Sequence, residues 1–188
     1  MAKQPCQTQP TPRKPHKDAD LRTATDYLEF DLRSLISTLG IYVQHKDTPI
    51  GNAAVDSLLV RSRTLIDFLF ATSPKPDDVV ATDYFHDFPR KPYVPKLTKT
   101  LARERTKINK RLMHLTTEPM PRLRSNQRYS IIKMVPPIVR AFRNWLAAVP
   151  DKRIQKPPKP SRARMEGHLS QLAKMVPRRP PSRRAPGA

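Results

Sequence analysis

His114 closes the segment ERTKINKRLMH, which reads as one face-segregated helix. At about 100° per residue, Arg103, Lys107, Lys110 and His114 fall within about 60° of one another. They stand more than 90° from the middle of the apolar stripe formed by Leu97, Leu101, Ile108, Leu112 and Leu115. Positive neighbours favour the neutral form of an imidazole. A neutral base among cations suits removal of the proton from a ribose 2′-hydroxyl, with a nearby cation stabilising the phosphorane that follows, which is metal-free RNA cleavage. The same position also suits a helix C-terminal cap that bonds exposed carbonyl groups. Both readings of His114 remain open on these residues.

Other chemistries lose support. There is no zinc-ligand spacing, no phosphate-cradling glycine loop, no serine nucleophile elbow and no paired carboxylate motif, so neither a metal nor a cofactor is expected. The single cysteine, Cys6, rules out an internal disulfide. Asp77 and Asp78, followed by Asp83 and Asp87, read either as a divalent-cation site or as a helix cap with solvated loop acids, and the second reading is the expectation. Trp145 and Phe142 share a helical stripe with Ile138 and Val149, which predicts core packing in preference to base stacking.

Charge is distributed unevenly. The chain has 188 residues and a net charge of +20. Residues 1–17 hold 4 basic and no acidic groups, and residues 150–188 hold 11 basic and 2 acidic ones. Between them, residues 18–89 have 6 basic against 12 acidic groups, whereas residues 90–128 have 12 basic against 2 acidic ones. This asymmetry points the second half of the core and both tails at a polyanion, RNA or another nucleic acid. Arg103, Lys107 and Lys110 on the third helix and Arg178, Arg179, Arg183 and Arg184 in the C-terminal tail are the candidate phosphate contacts.

Four helices must position these groups. Leu21, Ala24, Leu28, Leu32, Leu35, Leu39 and Tyr42 recur at spacings of three and four, which predicts a helix over 18–43 ended by Gly40 and the polar stretch behind it. A second helix is expected from Asn52, acting as N-cap, to just before Ser73-Pro74. Prolines 74, 76, 89, 92 and 95 make residues 71–96 a long ordered connection, pinned by Val79, Val80, Tyr84 and Phe85. The third helix spans about 96–116. The fourth covers about 126–149 and is expected to kink or split at Pro136-Pro137. Each helix has one apolar face, so an all-α antiparallel four-helix bundle over 18–149 is the economical fold. Residues 1–17 and 150–188 read as disordered, basic, proline-rich tails, with a short helix at 162–176 forming on a partner.

The run Asn109-Lys110-Arg111-Leu112-Met113-His114, after a helix containing SLLVRSRTLIDFLF and a loop containing DDVVATDYF, resembles the HEPN-like helical superfamily across about residues 25–147. The resemblance implies a helical bundle that acts on RNA as a homodimer, in toxin or phage-defence systems, opposed by a neutralising partner protein. It assigns His114 as base, Asn109 as the polar residue orienting substrate, and an arginine as phosphate ligand. Ile108 occupies the arginine's usual place, and Arg111, about 60° from His114, substitutes better than Arg105 on the opposite side. The expected function is RNA binding with metal-independent endoribonuclease activity; the alternative is a noncatalytic nucleic-acid-binding or scaffold protein using its basic tails. No apolar run reaches 18 residues, and the N-terminus lacks a secretory core, so a cytoplasmic location without membrane contact is expected.

Overall fold

The computed structural model describes residues 13–71, 74–88, 93, 96–113, 131–154 and 161–176, which are all-helical in architecture and contain no strand. Helix α1 (Asp18–Gln44) buries Leu21, Leu28, Leu32, Leu35 and Leu39 along one face. Gly40 does not end it. The glycine sits within the helix against Met175, and the chain leaves helical geometry only after Gln44.

Helix α2 (Pro49–Phe70) starts before the expected Asn52 because Thr48-Pro49 supplies a stronger signal. The Thr48 hydroxyl oxygen accepts the Gly51 N–H at 3.1 Å, and Pro49 takes the first position, where a missing donor costs nothing. The corner passes through Asp47 at a φ of 65°. It returns so tightly that a Cβ on Gly51 would lie 2.1 Å from the His45 carbonyl oxygen, which makes glycine a requirement there. Arg61 reaches back to Asp31 at 2.6 Å, a pairing nearly symmetric about the corner, so α1 and α2 form an antiparallel hairpin.

The proline-rich connection contains a 3₁₀ turn, Ala81–Phe85, whose Tyr84 and Phe85 are fully buried. Tyr84 donates to the Leu21 carbonyl at 2.7 Å and meets the Thr25 hydroxyl at 3.0 Å. Burial pushes its phenol well above the ordinary range. Tyr84, Phe68, Phe142 and Trp145 form one edge-to-face and tilted cluster, with ring centroids 5.1 Å apart in its closest pairs.

Helix α3 (Lys99–Met113) begins after Thr98, whose hydroxyl oxygen accepts the Leu101 N–H at 3.3 Å. Helix α4 (Ile131–Ala148) runs continuously through Pro136 and Pro137, so of the expected kink or split the split does not occur. Both prolines fall near its N-terminal end and on its outer side, so they leave only two early carbonyls without helical donors. Met134, Val135, Ile138, Val139, Phe142 and Trp145 are buried around them and hold the helix to the core.

The helical body does not stop at residue 149. A short α5 (Asp151–Ile154) is followed by α6 (Ser161–Met175), in which Met165, Leu169 and Leu172 are completely buried. Arg164 pairs with Glu29, and Met175 lies over Gly40, so α6 runs parallel to α1. It lies antiparallel to α4, because Arg162 caps the end of α4 while Arg143 reaches Ser170. The apolar spacing of 162–176, read from sequence as awaiting a partner, finds it within the chain. At the other end, Arg13 pairs with Asp83 and bonds the Asp78 carbonyl, so the N-terminal segment touches the body from residue 13 onward. Residues 1–12, 155–160 and 177–188 lie outside the described residues.

Candidate nucleic-acid interface

The basic helix proposed from sequence is α3, and its buried side carries Leu101, Ile108 and, unexpectedly, Glu104. Glu104 is 1% exposed. Its Oε1 receives Lys107 Nζ at 3.0 Å and lies 3.6 Å from Arg103 Nε. Its Oε2 is enclosed with no hydrogen-bond partner among the described residues. Arg103 and Lys107, read as phosphate contacts, are therefore partly spent on an internal carboxylate. Each keeps more than half of its side chain in solvent, so a polyanion would compete with Glu104 for them.

Arg105 is engaged too: its Nε meets Asp67 on α2 at 2.6 Å. Asn109 is half-buried, and its Oδ1 is enclosed without a partner among the described residues. Arg111 and Lys110 lie on the last turns of α3, and His114 falls just outside the described residues, as do Arg178, Arg179, Arg183 and Arg184.

A groove that no sequence motif announced lies where α3 begins beside α4. It encloses about 530 Å³ and is floored by Phe70, Tyr93 and Leu101. The rim holds Lys96, Thr98, Arg140 and Asn144, and the described residues of the lining include no carboxylate. Tyr93 donates to the Ala141 carbonyl at 3.3 Å, which fixes the floor against α4, and burial raises its phenol so that it stays neutral. Lys96, Lys99 and Arg140 have no ion-pair partner among the described residues, and all three are exposed. Lys96 and Arg140 stand 44 positions apart in sequence and belong to different elements, so helical periodicity within either one could not bring them together.

Three of the four loop acids are engaged within the chain. Asp78 accepts the Lys75 N–H at 2.8 Å, Asp83 accepts the Val80 N–H at 2.8 Å and pairs with Arg13, and Asp87 meets Arg153 at 2.6 Å. Among the described residues no group of three His, Cys, Asp or Glu side chains is placed to hold a metal ion. No described helix is long and apolar enough to cross a membrane. Comparison of the chain with protein-family models, with curated proteins and with solved structures finds no match in any of the three, so the functional reading rests on the residues themselves.

Proposed function

We propose that this all-α protein binds RNA by its phosphate backbone along the groove at the start of α3, with Lys96 and Arg140 as the principal contacts. The observation that carries this reading is the convergence, on one concave surface, of two cations that have no ion-pair partner and no lining carboxylate among the described residues. Lys99 adds charge beside it, and Thr98 and Asn144 offer neutral polar groups at the rim. Arg103, Lys107 and Lys110 continue the positive side of α3 toward its C-terminal end. In this reading α1 to α4 form the HEPN-like four-helix core, with α6 as an addition laid against α1 and α4.

Titration of a fluorescent RNA oligonucleotide over a salt series tests the proposal. Lys96→Glu with Arg140→Glu should weaken binding at least tenfold and reduce the salt slope by roughly 0.7 for each single-strand phosphate that is no longer neutralised. Unchanged affinity in that double variant would remove the groove from the interface. Loss only on deleting residues 177–188 would favour the tails.

A second reading, a metal-independent endoribonuclease of a toxin or phage-defence system, draws on one observation. Arg105 is committed to Asp67, which leaves Arg111 as the arginine of the motif beside His114, with Asn109 orienting the substrate. Incubation with RNA in chelator, beside His114→Ala, separates the two readings: cleavage by the parent chain alone supports catalysis, and equal inactivity supports binding without it.

A further inference from the structure

Glu104 occupies a position that periodicity reserves for an apolar side chain. It follows Leu101 by one helical turn and precedes Ile108 by another, and both of those residues are fully buried. A carboxylate enclosed there destabilises the fold unless its whole charge is compensated, whereas an apolar residue of similar volume would not. The compensation is partial. Lys107 Nζ donates to Oε1 at 3.0 Å and Arg103 Nε lies 3.6 Å from the same oxygen, while Oε2 is enclosed with no hydrogen-bond partner among the described residues. Arg105 takes no part, since it turns to Asp67 on α2.

The members of this cluster differ in what they can do. The Arg103 side chain is 64% exposed and that of Lys107 51%, so each reaches water or a phosphate by a change of rotamer. Glu104 is held in the packed interior and cannot follow. A phosphate that draws the two cations away therefore strands a buried carboxylate, and no described group stands ready at Oε2 to replace them. The free energy of stranding it opposes the new contact. An ion pair lying wholly at the surface would offer little such resistance, because water and salt re-screen both partners. Position along α3 gives the effect a direction. Lys99, Arg103 and Lys107 are four residues apart, so they form one line that advances about 6 Å at each step away from the groove. Lys96, Lys99 and Arg140, at the groove end, have no ion-pair partner among the described residues, and the next two cations are restrained.

Resting on the RNA-binding reading above, we propose that Glu104 is an internal competitor that withholds Arg103 and Lys107 from the RNA backbone and confines close contact to the groove. Titration of the full chain with a fluorescent uridine dodecamer over a salt series tests it. Glu104→Gln should bind at least roughly threefold tighter, with a salt slope steeper by up to about 1.4, because two more single-strand phosphates are neutralised. Glu104→Met should do the same, since lost charge and not the new side chain is the cause, and circular dichroism checks that both variants fold. Arg103→Gln and Lys107→Gln added to Glu104→Gln should remove the extra slope and bring affinity back to within about twofold of the parent. Glu166→Gln, an equal change of net charge at an exposed position of α6, should alter affinity less than about twofold. A parent chain that binds through Lys96 and Arg140 while neither Glu104 variant binds tighter overturns the competitor and leaves the groove standing. A gain matched by Glu166→Gln is a bulk charge effect and overturns it too. Tighter binding by the Glu104 variants that Lys96→Glu with Arg140→Glu does not weaken overturns the groove and leaves the competitor standing. No binding by the parent or by either Glu104 variant removes both.

Discussion

Two basic regions of this chain, alike in composition, use their charge in opposite ways. Downstream of residue 150 the described arginines turn inward. Arg153 is 1% exposed and joins Asp18, Asp87 and the Tyr84 carbonyl. Arg162 reaches Asp151 and the Leu146 and Val149 carbonyls at the end of α4, and Arg164 grips Glu29 with two bonds of 2.7 Å. Around the start of α3 and on α4, Lys96, Lys99 and Arg140 are exposed, with no ion-pair partner among the described residues. Net charge does not separate the two regions, since residues 150–188 hold 11 basic and 2 acidic groups and residues 90–128 hold 12 and 2. Partner geometry separates the described residues of each, because a guanidinium already surrounded by carboxylates and carbonyls has little left to offer a phosphate.

Substitutions sharpen that contrast. Arg153→Met should cost the most, about 3 kcal/mol of unfolding free energy by urea denaturation, because it removes a buried charge that ties α1, the 3₁₀ turn and α5 together. Arg162→Ala should cost about 1.5 kcal/mol, since it uncovers the last carbonyls of α4. Neither should change RNA affinity in the folded protein. Lys96→Glu with Arg140→Glu should do the reverse, leaving stability within about 0.5 kcal/mol while abolishing groove binding. If Arg153→Met were as stable as the parent chain, the inward arginines would be ornament and the contrast would collapse.

The smallest effect is a pH dependence. Burial raises the Asp31 carboxyl above its ordinary value, and the bond to Arg61 opposes this only in part. The folded state then holds the proton more tightly than the unfolded chain. The Asp31 contribution is therefore fullest below its unfolded value of about 3.9 and is lost as pH rises through the folded value. Asp31→Asn should flatten the stability profile in that window when thermal unfolding is followed against pH.

Much of the helical content was legible because burial and periodicity agree. Leu21, Leu28, Leu32, Leu35 and Leu39 announce α1, and Tyr84 and Phe85 announce the pinned turn between α2 and α3. Local rules failed where two signals competed. Asn52 is a good cap, but Thr48-Pro49 upstream is a better one; Pro136-Pro137 breaks a helix interior, but near an N-terminal end with a buried stripe around it the packing prevails. The site was harder to read. Glu104 looks like an ordinary member of a charged helix until burial singles it out, and the groove needs Lys96 and Arg140 brought together by tertiary structure. The inward arginines were hidden for the same reason: Arg153 with Asp18 and Arg164 with Glu29 each join positions 135 residues apart.

That separation shapes how the chain reaches its native state. The α1–α2 hairpin closes locally, but α1 then waits for a parallel neighbour encoded more than a hundred residues later, which is a contact of high order and slow to find. A nascent chain emerging from the ribosome carries the side of α1 destined for α6 uncovered until α6 itself is free. A message truncated between α5 and α6 would yield a collapsed but open species, with the surfaces of α1 and α4 that receive Met165, Leu169 and Leu172 left to aggregate or to recruit a chaperone.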